Sequence, residues 1–187
     1  MAVLALMCAA LGCQKPDPYR ELLTDESFGL GTPLGSDYRL VKDGIAESLG
    51  ERIADNNVSR DPRYLEFKDV YGNYSFIVGD INQDNKVDVI MLVINDQMNM
   101  KYFAGQFCTE FPNIHTKTGV TLGTSTREVS RYYKFEERGQ REMLLETHDR
   151  HLLFDTEGGI VVGLQLANDF AFQMPLFMLK RRHQPEP

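Results

Sequence analysis

The chain has 187 residues, 42% of them apolar, enough to bury a core without disulfides as one domain or as two small ones. A formal charge of -7 and a pI near 5.1 argue against a nucleic-acid partner, because neutralising phosphates needs a clustered Lys/Arg surface. The one basic cluster, Lys180, Arg181 and Arg182, falls in the 180–187 tail and reads as a solvated terminus.

The first thirteen residues, MAVLALMCAALGC, are apolar or small, and QKPDPYRE then turns polar and proline-containing. Twelve apolar residues are too short to span a bilayer and suit the h-region of a signal peptide, residues 1–12. Ala10-Leu11-Gly12-Cys13 resembles the lipobox of bacterial lipoproteins, which implies diacylation of Cys13 and a membrane attachment through lipid. Removing Cys8 and lipidating Cys13 leaves Cys108 as the sole thiol, so no intramolecular bridge is expected. Gln14 after the cysteine would direct such a lipoprotein to the outer membrane, facing the periplasm, in a cell with two membranes. Residues 13–28, with two prolines, read as the tether.

Residues 29–96 read as a first helix-plus-sheet unit. Val41, Ile45 and Leu49 fall on one helical face, and Ser36 is the expected N-cap. Strand-like sequence follows at Tyr64 to Val70, Tyr74 to Val78 and Val87 to Ile94. After a 97–118 linker, residues 119–179 repeat the plan. Leu122-Gly123-Thr124-Ser125-Thr126-Arg127-Glu128-Val129 matches Leu34-Gly35-Ser36-Asp37-Tyr38-Arg39-Leu40-Val41 in Leu, Gly, hydroxyl, Arg and Val positions. Thr124 or Ser125 would cap the second helix, Ser125 and Glu128 forming a capping box, with Val129, Tyr132, Tyr133 and Phe135 inward. Strands are expected at Glu142 to Thr147, His151 to Asp155 and Ile160 to Leu166, the last two joined by a Gly158-Gly159 hairpin turn. The fold class is therefore α+β, two similar helix-plus-antiparallel-sheet units that could form one continuous sheet.

The Leu-Gly-(Ser/Thr) helix start followed by strands resembles the tandem modules of the outer-membrane assembly lipoprotein family and the β-lactamase inhibitory protein family. That resemblance covers about residues 29–169 and implies a protein-binding or inhibitory role toward another envelope or secreted protein, without catalytic residues.

Between the second and third strands of the first unit lies GDINQDNKVDVI. Asp80, Asn82 and Asp84 hold positions 1, 3 and 5 of a calcium loop, the Lys86 carbonyl position 7 and Asp88 position 9. Alternate residues of a curled loop point hard oxygens at one centre. Asn85 takes the sharp-turn position, as the non-glycine residue best suited to the left-handed region. Met91 replaces the bidentate glutamate at position 12, and the β-branched exit predicts a strand, so this is no helix-loop-helix sensor. The loop looks like those of FG-GAP repeats, but a single copy is too little for a propeller. A polar hairpin turn is the alternative. A weak structural calcium site follows, or a ligand-binding one should a coordination position stay open.

Candidates for catalysis are sparse. His148 and His151 read as an exposed turn rather than a zinc pair. Cys108 with His115 supplies the residue types of a hydrolase or transferase, the alternative function, although Phe107 and Phe111 predict a buried, inert thiol. Aromatic and methionine residues in Gln97 to Phe111 and in Phe170 to Met178 read mainly as core, with a partner or ligand surface as the alternative.

Overall fold

The computed structural model describes residues 19–53, 62–138 and 141–173. Residues 1–12, expected to be a signal peptide, Cys13 and the basic 180–187 tail lie outside the described residues. Seven strands, β1 (Tyr64–Lys68), β2 (Tyr74–Gly79), β3 (Val89–Ile94), β4 (Glu136–Arg138), β5 (Glu142–Glu146), β6 (Arg150–Glu157) and β7 (Ile160–Asn168), form one sheet in the order β1-β2-β3-β7-β6-β5-β4. Every neighbouring pair is antiparallel. Five helices accompany it among the described residues: α1 (Arg20–Thr24), α2 (Val41–Leu49), α3 (Met100–Glu110), α4 (Thr126–Tyr132) and α5 (Asp169–Gln173). The α+β class and the continuous antiparallel sheet follow directly.

Side chains alternate across each strand, so the sheet has two faces with separate cores. On one face Phe76, Val78, Ile90, Leu92, Leu164 and Leu166 pack beneath α1 to α4. Val41, Ile45 and Leu49 of α2 are buried there as their spacing requires. In α4 the outcome divides: Val129 is buried, Tyr133 just beyond the helix is buried, and Tyr132 is exposed. Ser125 Oγ accepts from Glu128 N at 3.2 Å and starts α4 as expected. At the first unit the cap is Asp37, not Ser36, and it initiates a short 3₁₀ turn over Tyr38–Leu40 before α2.

Two hooks bind the helix starts to the sheet. Gly35 N donates to Val87 O and Val87 N to Ser36 O, at 2.8 and 3.0 Å; Gly123 N donates to Val161 O and Val161 N to Thr124 O, at 2.8 and 2.9 Å. The hairpin between β6 and β7 turns through Gly158 and Gly159 at φ 58° and 83°, the positive values that paired glycines supply without strain.

Two boundary expectations change. Residues 19–28 are not tether: Leu23 and Phe28 are fully buried, and Glu26 accepts from Phe28 N at 2.8 Å and from Lys117 N at 2.8 Å. Residues 97–118 are not linker. α3 lies within them, with Ala104 and Phe107 wholly buried. Phe107 and Phe111 stack at 5.1 Å and meet Tyr74 and Phe76 of β2 at 5.0 and 5.2 Å. Large aromatic rings decide the position of this helix, because each buries more apolar area than any neighbouring side chain could.

Candidate functional site

The acidic loop joins β2 to β3 at one end of the sheet and is shaped by its own side chains. Asp80 is buried and its two oxygens accept from Asp84 N at 3.0 Å and Asn85 N at 2.9 Å. Asn82 Oδ1 accepts from Asp84 N, and Asp84 Oδ1 from Lys86 N, each at 2.9 Å. These are the local side-chain-to-backbone bonds for which Asp and Asn are favoured in turns. Gln83 and Asn85 both take positive φ, 63° and 65°, so Asn85 stands in the left-handed conformation its position predicts.

Asp88, 2% exposed, closes the loop from its far end. Its Oδ2 accepts from Ile81 N at 2.8 Å and Asn82 N at 3.0 Å, and its Oδ1 from Asn168 Nδ2 at 2.6 Å. Asn168 Oδ1 in turn accepts from Ala171 N at 2.9 Å and caps α5. The start of α2 is tied to the same loop, since Tyr38 N donates to Asn85 O at 2.8 Å. Beside it Arg39 bonds Asp37 through side chain and backbone and holds that carboxyl down to about 2.

A cleft of about 240 Å³ opens next to the loop, lined among others by Asn82, Asp84, Lys86, Asp149, Arg150 and Asn168. Its polar lining brings the loop, the β5–β6 hairpin and the end of β7 together. Among the described residues, no group of three or more His, Cys, Asp or Glu is gathered to hold a metal as the side chains stand. The chemistry nevertheless suits calcium: a carboxylate or amide oxygen that accepts one N–H retains a lone pair for a hard cation.

The remaining candidates are placed differently from one another. His148 is exposed in the β5–β6 turn. His151 is not in that turn; it lies on β6, where Nε2 meets Asp169 Oδ1 at 2.5 Å, Nδ1 lies 3.5 Å from Glu146 Oε1, and the ring stacks on Phe172 at 4.2 Å. It fastens α5 to the sheet. Cys108 is exposed on α3, contrary to its expected burial, because the helix turns Phe107 inward and its neighbour outward. Its sulfur contacts Leu122 O at 3.6 Å, while His115 Nδ1 contacts Thr116 O at 2.8 Å. Each is engaged with main chain and not with the other.

The expected burial of the aromatic and methionine residues between Gln97 and Phe111 holds for Phe107 and Phe111 but not for Met98 and Tyr102, which face outward. Val70, Tyr71, Met98 and Tyr102 are exposed at the end of the sheet opposite the acidic loop, on the β1–β2 turn, the approach to α3 and α3 itself. Asn95 holds these segments together: its N donates to Asn73 O at 2.8 Å, its Nδ2 to Gly72 O at 2.9 Å, and its Oδ1 accepts from Ser75 Oγ at 3.0 Å. On α3 Ala104 and Phe107 are buried and Phe103 partly so, whereas Tyr102 is exposed and accepts from Gln106 Nε2 at 2.8 Å; that alternation is the signal that separates surface from core. No protein-family model, curated protein or solved structure matches this chain.

Proposed function

We propose that this chain is a lipid-anchored cell-envelope protein, built of two related helix-plus-sheet units, that binds another protein and carries a structural calcium ion in its 80–88 loop. The exposure of Val70, Tyr71, Met98 and Tyr102 on segments at one end of the sheet is the observation that carries the binding role. Aromatic and methionine side chains are enriched at protein interfaces, and a soluble surface seldom collects them at one end of a sheet without use.

The relation between the units is supported by the centre of the sheet. Met91 pairs with Gln165, and the pairs step outward symmetrically, Val89 with Ala167 and Val93 with Gly163. Val89, Met91 and Val93 stand in the same places after Val87 as Gly163, Gln165 and Ala167 do after Val161, and Val87 and Val161 are the residues that receive the two hooks. The acidic loop then occupies the position of the Gly158-Gly159 turn, enlarged where a cation could hold it. With Cys13 lipidated, the five residues from Gln14 to Pro18 would keep Tyr19 within roughly 20 Å of the bilayer surface.

Two measurements test the reading. Metabolic labelling with palmitate is expected to mark the protein and to vanish in Cys13→Ala; persistent label in that variant, or none in the parent, refutes the anchor. A photoreactive amino acid at Tyr71, Met98 or Tyr102 is expected to give a discrete adduct in the intact envelope, and one at exposed Leu40 none. Equal yields at all four positions would remove the binding surface.

A further inference from the structure

Helices α1 to α4 contribute to the core on one face of the sheet, and of the described helices only α5 contributes to the other. On that second face the strand register aligns one row across five strands: Leu144, Leu153, Gln165, Met91 and Ile77. All five are between 1% and 5% exposed. α5 reaches only part of the row: Ala171 shares a cluster with Ile77, Met91, Val89 and Ala167, and Phe172 stacks on His151, two residues before Leu153 on the same face of β6, whereas Leu144 and Leu153 belong to neither described cluster. The one polar member of the row, Gln165, has its Oε1 buried without a hydrogen-bond partner among the described residues. A buried amide oxygen is rarely left so, and a passing backbone N–H would satisfy it.

We propose that residues 174–179, Met-Pro-Leu-Phe-Met-Leu, dock across this row and close the second face of the sheet. Position, length and chemistry agree. The segment follows α5, which already lies on this face. Five strands about 4.8 Å apart place Leu144 and Ile77 roughly 19 Å from each other, and six extended residues reach roughly 20 Å. All six are uncharged and five are apolar without the restriction of proline, with charge returning only at Lys180. Leu176 or Phe177 can bring the N–H that Gln165 Oε1 lacks, whereas Pro175 cannot. Burial of apolar surface on both sides supplies the driving force, and a protein partner reaches this face only by displacing the segment.

The test uses the full chain with Cys8, Cys13 and Cys108 changed to Ser, carrying Leu153→Cys with Phe177→Cys, or Leu153→Cys with Leu176→Cys. Mild oxidation is expected to form an intramolecular disulfide, found by peptide mapping, in at least one pair, and not in the control Ser130→Cys with Phe177→Cys on the helix-covered side. In parallel, Leu176→Asp with Phe177→Asp is expected to raise the fluorescence of a hydrophobic dye severalfold while far-ultraviolet circular dichroism is unchanged. Cross-linking no better than the control with unchanged dye binding overturns the proposal. Cross-links that form only between molecules and rise with concentration overturn it as well, in favour of a second copy on the face.

Discussion

Asp88 and Asn168 are joined twice: the Asn168 side chain donates to Asp88 Oδ1 at 2.6 Å, and Asn168 N donates to Asp88 O at 2.9 Å. The pair links the acidic loop to the last residue of β7 and, through the cap on Ala171, to α5. Removing the Asp88 carboxylate leaves the N–H groups of Ile81 and Asn82 without their acceptor, and the first of these is buried. Asp88→Ala is therefore expected to cost about 2–4 kcal/mol in urea unfolding, and Asn168→Ala about 1–2 kcal/mol. The double variant should lose less than the sum, because the two share one bond. Strict additivity would show that the loop and α5 are independent.

Gly35 and Gly123 separate backbone strain from steric exclusion. Both hold φ near 85°, yet a Cβ on Gly35 meets nothing within 4 Å, whereas one on Gly123 would lie 2.4 Å from the carbonyl oxygen of Ala104 in α3. Gly35→Ala should cost about 1 kcal/mol for the left-handed conformation alone. Gly123→Ala must also push α3 off the sheet and should cost about 3 kcal/mol or more. Thermal or urea unfolding of the two variants under one condition decides the matter; equal losses would mean that α3 moves freely.

Six of the seven strands were legible because apolar, β-branched runs bounded by turn residues fix them locally, and so was the Gly158-Gly159 turn. What escaped depends on distant contacts. α3 carries Gly105 and a polar, aromatic mixture with no capping bond at Asn99, so its identity as a helix rests on Phe107 and Phe111 meeting Tyr74 and Phe76. α1 is a single turn after two prolines, held by Arg150, which donates to Leu23 O from 127 residues away. β4 has three residues and no apolar pattern, and it exists by pairing with β5. At the candidate site, the spacing of Asp80, Asn82, Asp84 and Asp88 announced the loop; Asn168, which completes it, comes from the other half of the chain and left no local sign.

Tyr74 predicts an alkaline limit to stability. Its hydroxyl donates to Phe103 O at 2.9 Å, and burial, followed by the charges of Glu110 and Asp69, pushes its pKa well above the ordinary 10.0. A raised folded-state pKa contributes stability that is complete below pH 10 and is lost as pH climbs toward the folded value, since the unfolded chain releases its proton first. Burial raises Tyr133 in the same direction. Unfolding free energy should thus fall from pH 10 upward. Tyr74→Phe should start about 1 kcal/mol lower at neutral pH and flatten that decline by up to about 1.4 kcal/mol per pH unit. An unchanged slope in urea titrations between pH 9 and 11.5 would remove Tyr74 as its source.

Calcium is expected to act on the 80–88 loop by mass action. Without a carboxylate at position 12, affinity should fall in the range of roughly 10⁻⁴ to 10⁻³ M typical of extracellular sites. At about 10 mM calcium this stabilises the fold by about 1.4–2.7 kcal/mol, or roughly 3–10 °C in Tm for a chain of this size. Asp84 is the informative position, because it is exposed and, among the described residues, its carboxylate accepts from Lys86 N alone. Asp84→Ala should unfold near the parent's Tm in chelator and lose the calcium response, whereas Asp80→Ala should be destabilised even in chelator, through the freed N–H groups of Asp84 and Asn85. Magnesium, which demands a compact octahedral shell and surrenders water reluctantly, should shift Tm little. A parent protein whose Tm is the same in chelator and in 10 mM calcium, at roughly micromolar protein, would make this an elaborate turn held by its own hydrogen bonds.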